Sequence, residues 1–202
     1  MIRDFDGNTY TEVKIGKQIW LKENLKAKHY RDGRTILEVY AYNDDEKNVA
    51  KYGRLYPWSS ISSGNPCPEG YHIATDNDYL ILEKDAGMAD PQISSFGWRS
   101  GADAASKLKE KESFLFWQSA CRKVQNSSGF SSLPGGVRTQ KGKYIGLGTY
   151  ADYWTSTEDS DDKNRAYNRS LVWLMVHPGK RKVYRSRIDK SWGFSVRMVK
   201  DL

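Results

Sequence analysis

The sequence predicts one α+β domain that spans residues 1–202. A hairpin pattern opens the chain, two helical segments occupy its middle, and short strand-like segments punctuated by glycine and proline fill the second half. Because strands and helices are grouped in blocks instead of alternating, the order favours α+β over a parallel β/α arrangement. With 38% hydrophobic and 13% aromatic residues, the core is expected to rely on large rings.

The first elements are predicted to form a β-hairpin. Residues 9–15 alternate between polar and apolar side chains, Gly16 and Lys17 form a turn, and residues 18–21 supply the second strand. Residues 41–51 are polar and charged, which indicates a loop or one short helical turn.

An aromatic segment follows at residues 53–58, and it is predicted to be a short strand. Its Pro57 cannot donate a hydrogen bond to a neighbouring strand, which favours a sheet edge or the end of the strand. Residues 59–68 are predicted to be a loop that contains the first cysteine.

The clearest helix is predicted over residues 75–86. Thr75 is suited to cap its N-terminus, and Asp78 stands three residues later, as in a capping box. Gly87 is a natural end for this helix. A second helix is predicted over residues 102–110.

The second half of the chain is predicted to be rich in β-structure. Strands are expected at residues 170–176, 182–187 and 193–199, after strand-like segments at 129–138, 144–148 and 153–157. The tryptophans Trp20, Trp58 and Trp154 are expected to be core rings, with ligand platforms as the alternative.

A series of short motifs runs through nearly the whole chain: DGNTY (6–10), VKIGKQIW (13–20), ENL (23–25), GRLYPW (53–58), CPEGYHI (67–73), GFSSLPGGVR (129–138), YWTSTE (153–158) and GFSVR (193–197). In these motifs and their order the chain resembles the Fibrobacter succinogenes major paralogous domain, a bacterial family related to C-type lectin-like domains. The resemblance implies a C-type lectin-like fold. In that fold the terminal strands pair, two helices flank small antiparallel sheets, and long irregular loops form a variable surface. It also implies a cell-surface or secreted setting, often behind a lipoprotein leader, but no known activity.

The cysteines depart from the family pattern. The family often has a cysteine in the last strand, where this chain has Met198. If that residue normally pairs with the cysteine of the CPEGYHI motif, Cys67 has lost its partner. A disulfide between Cys67 and Cys121 and two unpaired thiols therefore both stay open.

No constellation of residues indicates catalysis or a bound cofactor. His29, His72 and His177 show no metal-ligand spacing. A distant relative of this fold, the formylglycine-generating enzyme, uses cysteines near its C-terminus, and this chain has none there. The acidic segment 157–162 offers oxygen ligands for calcium but no recognisable ligand periodicity, so a solvated acidic loop is the preferred interpretation. We therefore expect no enzyme activity, no metal and no cofactor.

The candidate ligand-binding residues lie in the late β region, which varies between related lectin-like proteins. Tyrosine, tryptophan and arginine are frequent hot-spot residues in interfaces. The alternative is an ordinary basic hairpin. The candidates are Tyr167, Arg169, Trp173, Tyr184, Arg185 and Arg187.

These observations predict a non-catalytic surface or secreted module for binding or adhesion, with a protein or a glycan as its ligand. Two alternatives are a structural subunit of a surface assembly and a divergent enzyme of the formylglycine-generating type. A nucleic-acid partner would rest on the formal charge of +7 alone and is not expected. The oligomeric state stays open.

The compartment is not fixed by the sequence. No segment approaches the roughly 20 apolar residues of a membrane-spanning helix. The N-terminal residues also lack the apolar stretch of a signal peptide. The expectation is a surface or secreted protein whose leader is absent from this sequence, or a cytoplasmic protein if no leader exists.

Overall fold

The computed structural model describes residues 1–99, 101, 103–110, 125–172 and 182–202. The strands in chain order are β1 (Ile2–Arg3), β2 (Thr9–Tyr10), β3 (Glu12–Ile15), β4 (Gln18–Leu21), β5 (His72–Ile73), β6 (Gly97–Arg99), β7 (Gly135–Arg138), β8 (Tyr144–Leu147), β9 (Tyr150–Glu158), β10 (Arg165–Val172), β11 (Val183–Asp189), β12 (Ser195–Val196) and β13 (Met198–Asp201). The α-helices are α1 (Val49–Tyr52), α2 (Trp58–Ser62), α3 (Asp76–Asp85) and α4 (Ala104–Leu108). Short 3-10 turns cover Tyr42–Asp44, Glu46–Asn48 and Gln92–Ser94. The chain is therefore α+β, as predicted, and none of its helices in the described ranges is long and apolar enough to cross a bilayer.

A small sheet joins the two ends of the chain. Its strand order is β3-β4-β13-β5, so the last strand lies between the first hairpin and β5. The predicted hairpin is confirmed, with Gly16 at φ +57° in its turn. A side chain at Gly16 would also collide with the Asp85 carboxylate at the end of α3. The last strand, β13, thus pairs with β4 near the start of the chain, whereas β1 pairs with β2.

A larger sheet carries the second half of the chain. Its strand order is β6-β11-β10-β9-β7-β8, and β12 adds to β9. The central pairs β9–β10 and β10–β11 are antiparallel, whereas β7 and β12 run parallel to β9. A β-bulge interrupts the β9–β10 pairing between Ala166 and Asn168.

Helix α3 begins as the sequence predicts. The Thr75 hydroxyl accepts a hydrogen bond from the Asp78 backbone N–H at 3.0 Å, and the Asp78 carboxylate accepts one from the Thr75 N–H at 2.8 Å. The helix ends before Gly87, which has φ +97°. The second predicted helix is shorter, covering 104–108, and Ala102 lies outside the described residues.

Two clusters of apolar side chains pack on opposite faces of the large sheet. On one face Trp154 and Ala166 join the ring-rich core of the first half of the chain. On the other face Tyr153 and Leu171 pack against α3 and α4. Trp20, Trp58 and Trp154 are all buried, which confirms them as core rings.

Two strand predictions need correction. Residues 53–58 contribute only isolated bridges at Leu55 and Tyr56, and the chain then enters α2 at Trp58. Pro57 explains the change, because it lacks a backbone donor and its fixed φ suits the start of a helix. Helix α2 also occupies the start of the segment predicted to be a loop.

The predicted strand 193–199 is two strands, β12 and β13, in different sheets. Arg197 lies between them with a fully buried side chain that donates to the backbone oxygens of Leu21 and Ser131. The strand predicted at 170–176 starts earlier, at Arg165, and residues 173–176 lie outside the described residues.

Candidate functional site

The strands β10 and β11 present different side chains to the two faces of the large sheet. Side chains alternate along a strand, and the register pairs Ser170 with Tyr184 and Arg169 with Arg185. The face that carries Ser170 and Tyr184 is called the open face below. The face that carries Arg169 and Arg185 packs on α3 and is called the helix face.

Buried ion pairs fill the helix face. Glu83 of α3 accepts hydrogen bonds from Arg99 Nη1 at 2.6 Å and from Arg169 Nε at 2.8 Å. Asp76 accepts from Arg169 Nη1 at 2.7 Å and from Arg185 Nη2 at 2.6 Å. Burial raises the pKa of the Asp76 carboxyl, but the arginines outweigh it and hold that pKa below its ordinary value.

This cluster removes two residues from the predicted ligand-binding set. The side chains of Arg169 and Arg185 are 1% and 9% exposed, and carboxylates of α3 and its N-terminus occupy their guanidinium groups. A buried arginine without such partners would be strongly destabilising. We therefore leave Arg169 and Arg185 out of the candidate site and assign them to the attachment of the sheet to α3.

Tyr167 and Arg187 also lie on the helix face, at its edge. The Arg187 guanidinium lies 4.7 Å from the Phe96 ring centroid, and Phe96 contacts Tyr167. Arg187 Nη1 also binds Asp159 at 2.9 Å and Asp161 at 2.7 Å. Tyr167 and Arg187 are thus apart from the open face, and Trp173 lies outside the described residues.

The acidic loop and the basic strand neutralise each other. Asp159 is 2% exposed, so it is not a solvated carboxylate as expected, and its partner is Arg187. Glu158 forms ion pairs with Lys163 and Lys190. Across the described residues, no group of three or more His, Cys, Asp or Glu side chains is arranged to hold a metal ion.

Cys67 is a buried free thiol. It lies within the ring-rich core, and burial raises its pKa well above the ordinary value, which keeps the thiol protonated and unreactive. Of the two alternatives that the sequence leaves open, the structure shows an unpaired Cys67, and Cys121 lies outside the described residues.

The open face contains a pocket of about 250 Å³. Four partly exposed aromatic side chains contribute to its walls, and Tyr184 is the one that the sequence singled out. Trp98 packs against Tyr184 with ring centroids 4.7 Å apart. The aromatic side chains are Trp98, Tyr150, Tyr184 and Trp192.

A glycine positions one of these rings. Gly146 has φ +78°, and a Cβ atom there would lie 1.9 Å from Cδ2 of Tyr150. Only glycine allows the strand β8 backbone to approach the Tyr150 ring this closely. The ring therefore lies directly against the β8 backbone at the wall of the pocket.

The floor of the pocket is a chain of polar side chains across three strands. Ser186 Oγ donates to Asn168 Oδ1 at 2.8 Å, and Asn168 Nδ2 lies 3.5 Å from Ser170 Oγ. Ser170 Oγ in turn donates to a carboxylate oxygen of Asp152. The chain of hydrogen bonds thus ends at one acidic group on β9.

Asp152 is electrostatically unusual. Burial raises the pKa of its carboxyl group to about 7, against the opposing effect of the hydrogen bond from Ser170. A carboxyl group with a strongly shifted pKa in a concave site is a marker of function. Asp152 was not a candidate in the sequence, because nothing local distinguishes it from other aspartates.

The comparisons agree with the motifs in the sequence. The profile of the Fibrobacter succinogenes major domain matches residues 13–200. The chain belongs to this family. Neither curated proteins nor solved structures gave a match to it.

Proposed function

We propose that this Fibrobacter succinogenes major domain is a non-catalytic binding module that holds part of a protein or glycan ligand in the pocket of the open face. The proposal rests on one observation: four aromatic side chains line the walls of the pocket, and a chain of hydrogen-bonded polar side chains forms its floor. Aromatic faces supply contact area at a small entropic cost, and a few fixed polar groups orient the ligand.

The composition of the pocket supports binding over catalysis. Among the described lining residues Asp152 contributes the only carboxyl group, and the remaining polar groups are hydroxyls, one amide and the indole N–H groups. Glycoside hydrolysis uses two carboxyl groups, and acyl transfer uses a nucleophile beside a base. A lone carboxyl group can orient a ligand, but it lacks the second carboxyl group or the nucleophile and base that these reactions require.

The family resemblance supports the proposed location and fold of this binding module. The resemblance to the family includes a relation to C-type lectin-like domains and a cell-surface or secreted location. We infer a C-type lectin-like fold from the pairing of β13 with β4 together with that resemblance. A surface location suits a module whose ligand is a protein or a glycan.

The experiment compares two tyrosines on opposite faces of the sheet. Glycan and peptide libraries are screened against the full chain, and the affinity of any ligand found is measured for Tyr184→Ala and Tyr167→Ala. Tyr184 lines the pocket and Tyr167 does not. We expect Tyr184→Ala to weaken binding at least tenfold, about 1.4 kcal/mol, and Tyr167→Ala to leave it unchanged.

Two results contradict the proposal. If Tyr167→Ala weakens binding and Tyr184→Ala does not, the ligand uses the helix-face edge of the sheet. If no ligand emerges and the chain forms concentration-dependent oligomers, the structural-subunit alternative takes the place of the binding role.

A further inference from the structure

The charged side chain in the described lining of the pocket is acidic. In the part of the chain that the structure describes, no lysine, arginine or histidine lines the pocket, whereas Asp152 supplies an acid. The titratable neighbours in that lining are the phenols of Tyr150 on β9 and Tyr184 on β11. Ser170, Asn168 and Ser186 beside them do not titrate. The pocket therefore offers a negative charge to whatever enters it once Asp152 is ionised.

Among the described residues, the buried acid Asp4 is held by Asn8 and Tyr10, and the other fully buried acids pair with a basic side chain. Asp76, Glu83 and Asp159 each bind at least one arginine. By contrast, burial and the hydrogen bond from Ser170 are the influences that set the ionisation of Asp152. Burying a carboxylate without a cation is unfavourable. No basic side chain among the described residues lines the pocket beside Asp152. A ligand that carries a cation would supply the counter-ion for this carboxylate.

The walls favour the same kind of ligand. The face of an aromatic ring carries partial negative charge and attracts a cation within about 6 Å of its centroid. The indole of Trp98 and the phenol of Tyr184 stand next to each other on the same face as Asp152. A neutral sugar would gain the stacking and could donate hydroxyl hydrogen bonds to the carboxylate, but it would bring no charge to balance that of Asp152.

We propose, on the basis of the binding role above, that the pocket takes a ligand bearing an aliphatic ammonium group, with the Asp152 carboxylate as its counter-ion. The ring of Tyr150, two residues before Asp152 on β9, stands nearest the cation, Tyr184 and Trp98 form the wall farther across the sheet, and Ser170 donates a hydrogen bond to the carboxylate. A volume of about 250 Å³ corresponds to roughly eight water molecules at about 30 Å³ each. That space suits a lysine side chain, a short alkylamine or one amino sugar.

Binding of a cation is linked to release of a proton. In the free protein the pKa of the Asp152 carboxyl group is about 7, and a bound ammonium group lowers it by stabilising the carboxylate. The ionised fraction of Asp152 falls about tenfold between pH 8 and pH 6. The affinity for an ammonium ligand is therefore expected to fall about tenfold over the same range.

The test uses three pairs of probes that differ in charge and little else. Butylammonium is paired with 1-butanol, glucosamine with N-acetylglucosamine, and a short lysine peptide with the same peptide acetylated on lysine. The dissociation constants for the full chain are measured by calorimetry and by NMR titration, at pH 8 for the butyl and peptide pairs. The sugars are measured at pH 7, because a 2-amino sugar, like an α-amino group with a pKa of about 7.7–8.0, loses much of its charge by pH 8. Comparison of the three pairs separates a free amine, an amino sugar and a protein side chain as the source of the ammonium group.

We expect the charged member of at least one pair to bind at least tenfold more tightly than its neutral analogue. Asp152→Asn keeps the shape of the side chain and should abolish that preference. Asp161→Asn is the matched control, since its side chain is 76% exposed and lies outside the pocket. It removes the same charge and should leave the preference intact.

The pH dependence of the wild-type chain provides a test that needs no variant. Equal affinity of charged and neutral probes, or an ammonium affinity unchanged between pH 6 and pH 8, would overturn the inference. If neutral probes bind and Tyr184→Ala abolishes their binding, the proposed binding role stands and the ammonium inference fails. If no probe perturbs the resonances of the pocket residues, the ammonium inference fails, and the library screen decides the binding role.

Discussion

The pocket acid should make the stability of this protein depend on pH in an unusual direction. Folding raises the pKa of the Asp152 carboxyl from 3.8 to about 7. The folded protein therefore holds a proton on Asp152 that the unfolded chain releases. By linkage, the free energy of unfolding falls as pH rises from about 4 to about 7 and is constant above that range as far as this group is concerned.

The substitution Asp152→Asn removes this effect while keeping the shape of the side chain. The difference between 3.8 and about 7 corresponds to an upper limit of about 4 kcal/mol, at about 1.4 kcal/mol per pH unit. The variant should thus match the wild type near pH 4 and be more stable at pH 8 by up to about 4 kcal/mol. The hydrogen bond from Ser170 can still be made to the amide oxygen.

Urea denaturation at pH 4 and pH 8 measures this difference, with equal m-values as the sign that both proteins unfold from equally compact states. Asp161→Asn is the control for the loss of one negative charge, because Asp161 is exposed. A stability difference that stays the same at both pH values would refute the reasoning. It would mean that Asp152 titrates alike in the folded and unfolded chains.

Three further predictions concern other features. Glu83→Ala leaves two buried arginines without their shared carboxylate, and we expect a loss of about 3–5 kcal/mol in urea denaturation; a loss near zero would contradict the ion-pair assignment. The hydrogen bond to Asp78 raises the pKa of His72 above its ordinary 6.5, so this pair stabilises the fold at low pH and its contribution is lost as pH rises through the folded pKa. His72→Gln should therefore lower the melting temperature at pH 5.5 and leave it unchanged at pH 9, and an equal effect at both would count against it. Gly146→Ala places a Cβ atom 1.9 Å from Tyr150 at φ +78°, and we expect a loss of about 1–3 kcal/mol in urea denaturation; an unchanged stability would contradict the close packing.

Local patterns in the sequence are enough to predict much of the secondary structure. The first hairpin needs only alternation and a glycine turn, and the start of α3 needs only Thr75 and Asp78 three residues apart. Both predictions depend on residues that are close together in the sequence. The same reasoning predicts the wrong structure between Gly53 and Trp58. The aromatic composition there favours a strand, but Pro57 ends the extended segment and helix α2 begins at the next residue.

The two faces of the large sheet cannot be read from the sequence. Tyr184 and Arg185 are neighbours, and both are residue types that occur in binding sites. The difference between them is set by Asp76, which pairs with Arg185 from 109 positions away. Because that contact is long-range, no local pattern marks Arg185 as a core residue, and the same holds for Asp152 as a pocket residue.

The alternation of β10 and β11 connects the core to the pocket. Arg169 and Arg185 fix these strands to α3 through charged hydrogen bonds that require defined geometry. The residues next to them, Ser170 and Tyr184, belong to the floor and wall of the pocket.

Because the side chains of a strand alternate between its two faces, fixing the side chains on one face also fixes the positions of those on the other face. A floor held in this way loses little freedom when a ligand enters, and a preorganised site binds more tightly than a mobile one with the same contacts. In the proposed binding role, the buried arginines act through the rigidity of the sheet, and none of the described arginines lines the pocket.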